Sequence, residues 1–232
     1  MNQANERLHS VRNRIAEACK NAGRPVASVK LLAVSKRQPA AAIEALYALG
    51  QTAFGENLLQ EAREKQNEIG LPNLEWHFIG PVQSNKTRAL AEHFDWVQSV
   101  DREKILRRLA QQRPDHLPPL NICIQVNIDR ERQKAGAEPE QVAHLAGRAE
   151  ECPTLRLRGL MCIPRLTEDV MEARHSFRAM KLLYDELVRA GHALDTLSMG
   201  MSGDLELAIE EGSNMIRVGT GLFGARPASR AC

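Results

Sequence analysis

The chain has 232 residues, a formal net charge of +2 at pH 7, 43% hydrophobic residues and 26% charged residues. This composition is that of an ordinary globular protein, and the near balance of charge gives no reason to expect nucleic acid or a membrane surface as a partner. Its five cysteines form no C-x-x-C pair and its seven histidines no H-x-x-x-H pair. We expect no disulfide framework and no metal site, with the cysteines acting as small buried hydrophobic residues.

Residues 1–22 predict an amphipathic helix, because Leu8, Val11, Ile15 and Cys19 recur at spacings of three and four. The segment lacks the continuous apolar stretch of a signal peptide. No other segment approaches the roughly 18 consecutive apolar residues of a membrane span. We therefore expect a cytoplasmic protein.

Short apolar runs alternate with helical patterns along the rest of the chain. The runs predict strands over residues 31–36, 52–57, 75–80, 95–100, 121–128, 155–164, 196–202 and 215–224. The clearest helical pattern lies before the seventh strand, where Ala173, Phe177, Met180 and Tyr184 step by four, three and four. Strands joined by helices pair in parallel, and their continuous apolar character fits burial on both faces.

Eight such strands predict an α/β fold, a single (β/α)₈ TIM-type barrel with an extra N-terminal helix. An open, doubly wound sheet is the alternative. No linker or low-complexity tract divides the chain, so residues 1–232 are predicted to form one domain with a C-terminal tail at 225–232. A closed barrel has no free sheet edge that demands a partner, which favours a monomer.

Lys36 closes the first predicted strand, on the face shared with Leu32 and Val34. Active sites of such barrels lie at the carboxyl ends of the strands. A poorly solvated lysine there is disfavoured in its charged form, and the neutral amine is the form that attacks an aldehyde. The alternative is a lysine whose ammonium extends to solvent.

Glycine-rich turns follow the last two strands, in the usual phosphate-binding place of this fold. The eighth strand reads Ile216 to Val218 and runs into Gly219, Thr220 and Gly221, while the seventh runs into Ser202. Ser202 is interpreted either as the cap of the next helix or as a phosphate donor. Closure of the barrel brings Arg217 beside Lys36, and an anion between them would relieve their repulsion. A buried ion pair of Arg217 with Glu56 or Asp204 is the alternative.

Asn57 and His77 finish the second and third predicted strands, so both are expected at the mouth of the barrel. Either side chain can bond a ligand hydroxyl or pack on its ring. A histidine that only satisfies structural hydrogen bonds is an equal alternative for His77.

Five segments, in order along the chain, resemble the pyridoxal phosphate homeostasis protein family: LLAVSK (31–36), FGEN (54–57), WHFIGPVQSNK (76–86), LSMGMSGD (197–204) and RVGTGLFG (217–224). The resemblance covers essentially the whole chain. It implies a barrel like the N-terminal barrel of alanine racemase, with pyridoxal 5′-phosphate (PLP) held as an imine on Lys36.

The resemblance also implies roles for the other site residues. Arg217 would pair with the pyridine nitrogen of PLP, the phosphate would bind Ser202, Gly219 and Thr220, and the ring would be lined by Asn57, His77 and Met199. One departure is present in the loop after the fifth strand. The family usually shows N-I-S-x-E-x-x-K-x-G, whereas Asp129 stands here in place of the serine, which leaves the role of residues 129–136 open.

The function implied by the resemblance is binding of PLP, its homeostasis and its delivery to apo PLP-dependent enzymes, without catalytic residues. An arginine leaves the pyridine nitrogen unprotonated, which makes the ring a weaker electron sink. Racemisation needs a proton acceptor and a donor on opposite faces, and the tyrosines, Tyr47 and Tyr184, fall on predicted helices. The alternatives are an amino-acid racemase-like enzyme whose second acid/base is His77 or a group not yet identified, and a metal-free sugar-phosphate isomerase.

Overall fold

The computed structural model describes residues 3–224, and its strands form a closed barrel in the order β1-β2-β3-β4-β5-β6-β7-β8 with every neighbouring pair parallel. The strands are β1 (Lys30–Val34), β2 (Ala53–Glu56), β3 (Glu75–Phe78), β4 (Trp96–Val100), β5 (Leu120–Gln125), β6 (Leu155–Met161), β7 (Thr196–Ser198) and β8 (Met215–Val218). The predicted (β/α)₈ barrel is confirmed, and the open sheet is excluded by the pairing of β1 with β8.

A helix follows each strand, as parallel connections require. The helices are α1 (Gln3–Asn21), α2 (Ala40–Tyr47), α3 (Leu59–Glu68), α4 (Thr87–His93), α5 (Glu103–Gln112), α6 (Pro139–Glu150), α7 (Val170–Arg189), α8 (Leu205–Glu210) and α9 (Thr220–Phe223). Short 3₁₀ turns at Val26–Ser28 and Ser84–Lys86 precede β1 and α4. The predicted tail at 225–232 lies outside the described residues.

The N-terminal helix occupies the place that a long eighth helix would take. The helix after β8, α9, has only four residues, and α1 packs against α2, α8 and α9. Its buried stripe, Leu8, Val11, Ile15 and Cys19, is the predicted apolar face. The extra helix therefore completes the outer ring of the barrel on the side of β8.

Apolar side chains divide into two layers because residues alternate between the faces of each strand. The larger core lies between the strands and the helices and includes Phe54, Ile122 and Phe177. A smaller cluster, with Leu32, Ala53, Trp96, Cys123, Met161 and Met215, fills the barrel interior. Buried polar side chains share that interior with it: His77, Gln98, Ser198 and Arg217.

Candidate functional site

A cavity of about 380 Å³ opens at the carboxyl end of the barrel, the end that carries the active sites of this fold. Its size is within the range of small-molecule sites. The lining comprises Val34, Lys36, Gln38, Asn57, Ile79, Gly80, Pro81, Ile163, Met201, Ser202, Gly203, Arg217, Gly219, Thr220 and Gly224. These residues come from the carboxyl ends of β1 and β8 and from the segments that follow β1, β2, β3, β6, β7 and β8.

Lys36 lies in the turn after β1 rather than on the strand itself. The strand ends at Val34, Ser35 is fully buried, and Lys36 is half-buried on the cavity wall. The predicted strand to residue 36 was therefore two residues too long. The prediction that Lys36 extends from the face of Leu32 and Val34 agrees with the structure, because Leu32 packs in the barrel interior and Val34 lines the cavity.

Arg217 lies opposite in the same cavity, on β8 beside Leu32 of β1. The side chain is only 4% exposed, and burial lowers the pKa of its guanidinium. Nη1 donates to Ser198 Oγ at 2.8 Å, and Nη2 donates to the carbonyl oxygen of Cys162 at 2.7 Å. These neutral partners fix the orientation of the guanidinium without cancelling its charge.

The alternative of an ion pair for Arg217 is wrong for residues 3–224, where no carboxylate lies within salt-bridge distance of its guanidinium. Glu56 instead pairs with Lys65, and Asp204 accepts the backbone N–H of Met201. The physical reason is that both carboxylates already bond groups beside the cavity, Glu56 the ammonium of Lys65 and Asp204 a backbone N–H in the turn after β7.

The turns after β7 and β8 meet at the cavity, as the glycine pattern predicts. The hydroxyl of Ser202 accepts the backbone N–H of Gly221 at 3.4 Å, and Ser202, Gly219 and Thr220 all line the wall. Ser202 does not cap the next helix, which begins at Leu205 and has no side-chain cap. A Cβ at Gly219 would lie 3.3 Å from the carbonyl oxygen of Val34, so a larger residue would crowd this wall.

Asn57 also reaches the cavity, from the loop after β2. A second glycine is required here by a close approach of two loops. A Cβ at Gly80 would lie 2.1 Å from the carbonyl oxygen of Asn57, which is too short for any real contact. The loops after β2 and β3 therefore cross so closely that only glycine fits, and the crossing holds Asn57 at the cavity wall.

Two predicted ring-lining residues, His77 and Met199, are not on the cavity wall. Met199 is fully buried in the layer between strands and helices. His77 is fully buried inside the barrel, where its Nε2 bonds Glu75 and its Nδ1 accepts from Gln98 Nε2 at 2.8 Å. The expectation that His77 sits at the mouth was wrong. Its ring stacks on Trp96 with centroids 5.0 Å apart, so packing holds it in the interior.

A chain of hydrogen bonds joins His77 to Arg217 through the barrel. Gln98 Oε1 accepts from Ser198 Oγ at 2.7 Å, and Ser198 Oγ accepts from Arg217. Burial lowers the pKa of His77 to about 4, against the opposing effect of Glu75. Burial alone would raise the pKa of Glu75, but His77 and Lys30 outweigh it and hold that pKa at about 2. His77 is therefore neutral near pH 7 and Glu75 is ionised.

The helix α1 braces the two glycine-rich turns from outside. Arg14 Nη2 donates to the carbonyl oxygen of Ser202 at 2.9 Å and its guanidinium pairs with Glu206, while Arg7 Nη1 donates to the carbonyl oxygen of Phe223 at 2.9 Å. These contacts span more than 180 residues of sequence. Sequence patterns did not identify them because nothing local distinguishes either arginine.

The loop with the departure at Asp129 is tied to the segment after β6. Asp129 Oδ1 accepts from Ser176 Oγ and Oδ2 accepts from the backbone N–H of Arg165, each at 2.6 Å. Lys134 Nζ donates to the carbonyl oxygen of Pro164 at 2.9 Å. The carboxylate at position 129 therefore joins two neighbouring loops at the rim of the barrel.

The electrostatic character of the cavity follows from its lining. Lys36 and Arg217 are the ionisable side chains among the lining residues within 3–224, and no aspartate or glutamate accompanies them. Hydroxyls, the side-chain amides of Gln38 and Asn57 and the backbone at glycines supply the other polar groups. Such a wall fits a small molecule with an anionic group and a group that reacts with an amine. PLP, whose phosphate and aldehyde meet both demands, fits the residues present.

Comparison with known proteins identifies the family. The family "Alanine racemase, N-terminal domain" matches residues 7–227. The "Pyridoxal phosphate homeostasis protein" of Pseudomonas aeruginosa is 54% identical over 221 residues, which are 95% of each chain. The chain belongs to the pyridoxal phosphate homeostasis protein family. The protein of that name from Escherichia coli K12 is 46% identical over 233 residues, covering 99% of this chain and 100% of its own.

Solved structures agree with this family assignment. PipY of Synechococcus elongatus PCC7942 without PLP is 40% identical, covers 96% of this chain and 100% of its own, and superposes with a TM-score of 0.86. The structure of PipY with PLP bound gives a TM-score of 0.84 over the same shares of the two chains. Alanine racemase of Clostridium difficile, at 14% identity and a TM-score of 0.72 over 58% of its length, shares the barrel fold.

Two further observations concern residues 3–224 alone. No group of three or more histidine, cysteine, aspartate or glutamate side chains is placed to hold a metal ion there. None of the helices in this range combines the length and the apolar character needed to cross a membrane.

Proposed function

We propose that the chain binds PLP as an imine on Lys36 and acts in PLP homeostasis by holding the cofactor and delivering it to apo-enzymes. One observation carries the proposal: a half-buried lysine and a buried arginine face one cavity of about 380 Å³ whose described lining holds no carboxylate. The relatives named for PLP homeostasis and the PipY structure with PLP bound support the choice of ligand.

Six residues of the wall have roles in this proposal. The neutral amine of Lys36 adds to the aldehyde carbon, and loss of one water leaves the C=N bond of the imine. Arg217 donates to the pyridine nitrogen, which its fixed guanidinium keeps unprotonated. The phosphate is bound by the hydroxyls of Ser202 and Thr220 and by the backbone at Gly219. Asn57 contacts the ring from the loop after β2.

His77 and Met199 have different roles in the proposal from those that the resemblance implied. His77 contributes through Gln98 and Ser198, whose hydrogen bonds orient Arg217, rather than by touching the ring. Met199 contributes packing beneath the turn that carries Ser202.

The lining also favours a carrier over a racemase. Racemisation requires a second proton-transferring group opposite the lysine. The wall residues within 3–224 include no histidine, tyrosine, cysteine or carboxylate. Tyr184 donates its hydroxyl to the carbonyl oxygen of Leu194 at 2.9 Å, and Tyr47 ends α2 on the outer ring. The proposal includes a monomeric state, because the closed barrel leaves no free sheet edge that needs a partner.

Borohydride trapping tests the covalent link. Apo-protein loaded with PLP and reduced with borohydride should carry a phosphopyridoxyl group on Lys36 after peptide mapping by mass spectrometry. Lys36→Ala should lose this label and the imine absorbance band, while Lys20→Ala on the exposed face of α1 should keep both. Label at a different lysine, or an imine band that persists in Lys36→Ala, would refute the assignment.

Transfer and exchange experiments test the role as a carrier. Loaded protein mixed with an apo PLP enzyme should restore its activity, with a rate that exceeds passive release into solution. Incubation with L-amino acids in deuterated buffer should leave Cα protonated. Release that is no faster with the apo-enzyme present would leave storage only, and deuterium incorporated over many turnovers would make the protein an enzyme.

A further inference from the structure

A second lysine, Lys65 of α3, lies buried beside the turn that carries Lys36. It is 5% exposed, and its Nζ lies 2.7 Å from each of three acceptors: the carbonyl oxygen of Ser35, Glu56 Oε1 and Glu61 Oε1. A lysine ammonium has three donor hydrogens, so these contacts use all of them. Buried lysines are rare unless they are paired, which makes this cluster a specific feature of the fold.

The contacts of Lys65 hold both neighbours of Lys36. Ser35 is bonded directly through its carbonyl oxygen, and its hydroxyl donates to Glu56 Oε1 at 2.6 Å. Arg37 is held through Glu61, whose Oε1 accepts its backbone N–H. Arg37 has a φ of 60°, a left-handed conformation that is uncommon for a residue other than glycine. The strained turn is therefore fixed on both sides of Lys36, by Lys65 directly at Ser35 and through Glu61 at Arg37.

The charges around the turn come from β2, α3 and β8 and from the turn itself. Glu56 ends β2 and is fully buried, Glu61 and Lys65 belong to α3, and Arg217 faces the cavity from β8. Arg37 is exposed. Burial raises the pKa of Glu56, and Lys65 acts against that shift. Without Lys65, two carboxylates beside the turn would lack their buried cation.

We propose that Lys65 is a positioning residue for Lys36: it fixes the turn and offsets part of the negative charge of Glu56 and Glu61, so that these carboxylates favour the protonated form of the reactive amine less. The inference rests on the proposed imine at Lys36. Nearby negative charge favours the protonated form of a lysine, and only the unprotonated amine adds to an aldehyde. The cluster therefore acts on the rate of imine formation and on its pH dependence.

Opposite pH shifts in two variants test the proposal. Imine formation is followed by stopped-flow absorbance after PLP is mixed with apo-protein, from about pH 6 to about pH 10. Lys65→Met should slow the reaction at neutral pH about tenfold and move the pH of half-maximal rate upward by about one unit. Glu61→Gln, which keeps an oxygen acceptor for Arg37 but removes one negative charge, should move it downward. Lys65→Arg should stay near the unsubstituted protein.

The outcomes separate this inference from the proposed function. If the unsubstituted protein forms no imine at Lys36, the proposed function is refuted. If it does and the pH profiles of Lys65→Met and Glu61→Gln coincide with its own, only the role of Lys65 is refuted. Should circular dichroism show that Lys65→Met is unfolded, the downward shift of Glu61→Gln decides alone. A purely structural role would change stability but not move two profiles in opposite directions.

Discussion

Both ends of the barrel carry a lysine and an arginine, but the two pairs of cations differ in their carboxylate partners. At the amino end, Lys30 pairs with Glu75 and Arg158 pairs with Asp195 at 2.6 Å, and both cations lie over the ring of Trp96. At the carboxyl end, Lys36 and Arg217 face a cavity whose described lining includes no aspartate or glutamate. The cations at the amino end have carboxylate partners, whereas the described lining of the cavity at the carboxyl end supplies none.

This difference separates stability from binding within one fold. Paired charges at the amino end leave little electrostatic attraction for an outside anion. The carboxyl end places Arg217 and Lys36 on one cavity wall with the glycine-rich turns, which is the arrangement on which the proposed binding of an anionic ligand rests. The ends are joined, because the hydrogen bonds from Glu75 through His77, Gln98 and Ser198 end at Arg217. The effects of substitutions at the amino end on stability and PLP affinity can therefore be compared with the effects of substitutions at the cavity.

The largest expected effect is a loss of stability at low pH through His77. Its pKa in the folded protein is about 4, against an ordinary 6.5, so between these values the unfolded chain binds a proton that the folded protein does not. Stability should therefore be full above pH 6.5 and fall as pH drops toward 4, by on the order of 3 kcal/mol. Glu75, with its pKa lowered to about 2 from 4.5, adds a further loss below pH 4.5.

Urea unfolding at a series of pH values measures this effect. His77→Gln is less stable overall but lacks the titrating group, so its free energy of unfolding should change less between pH 6.5 and 4. Equal slopes for His77→Gln and the unsubstituted protein would assign the pH dependence to other groups.

The starts of all eight strands could be predicted to within one residue, whereas the carboxyl ends of six of them were predicted two or more residues too far along the chain. The seventh and eighth strands were predicted over 196–202 and 215–224 but are Thr196–Ser198 and Met215–Val218. The residues beyond them are apolar or small and resemble strand on composition. Gly200 ends the extended backbone with a φ of 92°, and Thr220 begins a short helix. Turns that form a site therefore look like strand until their backbone angles are known.

The residues of the candidate site likewise divide into those that the sequence could predict and those that it could not. Residues at the ends of consecutive strands, such as Lys36 and Asn57, reach the cavity because barrel topology alone places strand ends there. His77 was placed at the mouth although it lies within β3, Glu75–Phe78, where its ring points into the barrel interior and bonds Glu75. Arg14 and Lys65 could not be found, since their roles depend on which loops their side chains meet in three dimensions.

The second-largest expected effect is on PLP affinity, and it is tested by substituting one arginine at each end of the barrel. Arg217→Met should weaken equilibrium binding of PLP about 10- to 100-fold, because a hydrogen bond from a charged group contributes about 1.5–3 kcal/mol. Imine formation on Lys36 should persist at high PLP concentration. Arg158→Met is the matched control at the amino end, where the cation already has a carboxylate partner. Absorbance titration measures both, and similar losses of affinity would show that the two ends do not differ as described.

The smallest effect concerns the counter-ion at the amino end. Asp195→Asn removes the charge that Arg158 contacts through Nε at 2.9 Å and through Nη2 at 2.6 Å. Asp195 is 52% exposed, so solvent screens the pair and its loss should cost about 0.2–1 kcal/mol of unfolding free energy. The cost should shrink in high salt, and PLP affinity should not change. A double-mutant cycle with Arg158→Met isolates the pair energy. If Asp195→Asn instead altered PLP affinity severalfold, the charge at the amino end would act on the site through the interior hydrogen bonds, and the two ends would function as one electrostatic unit.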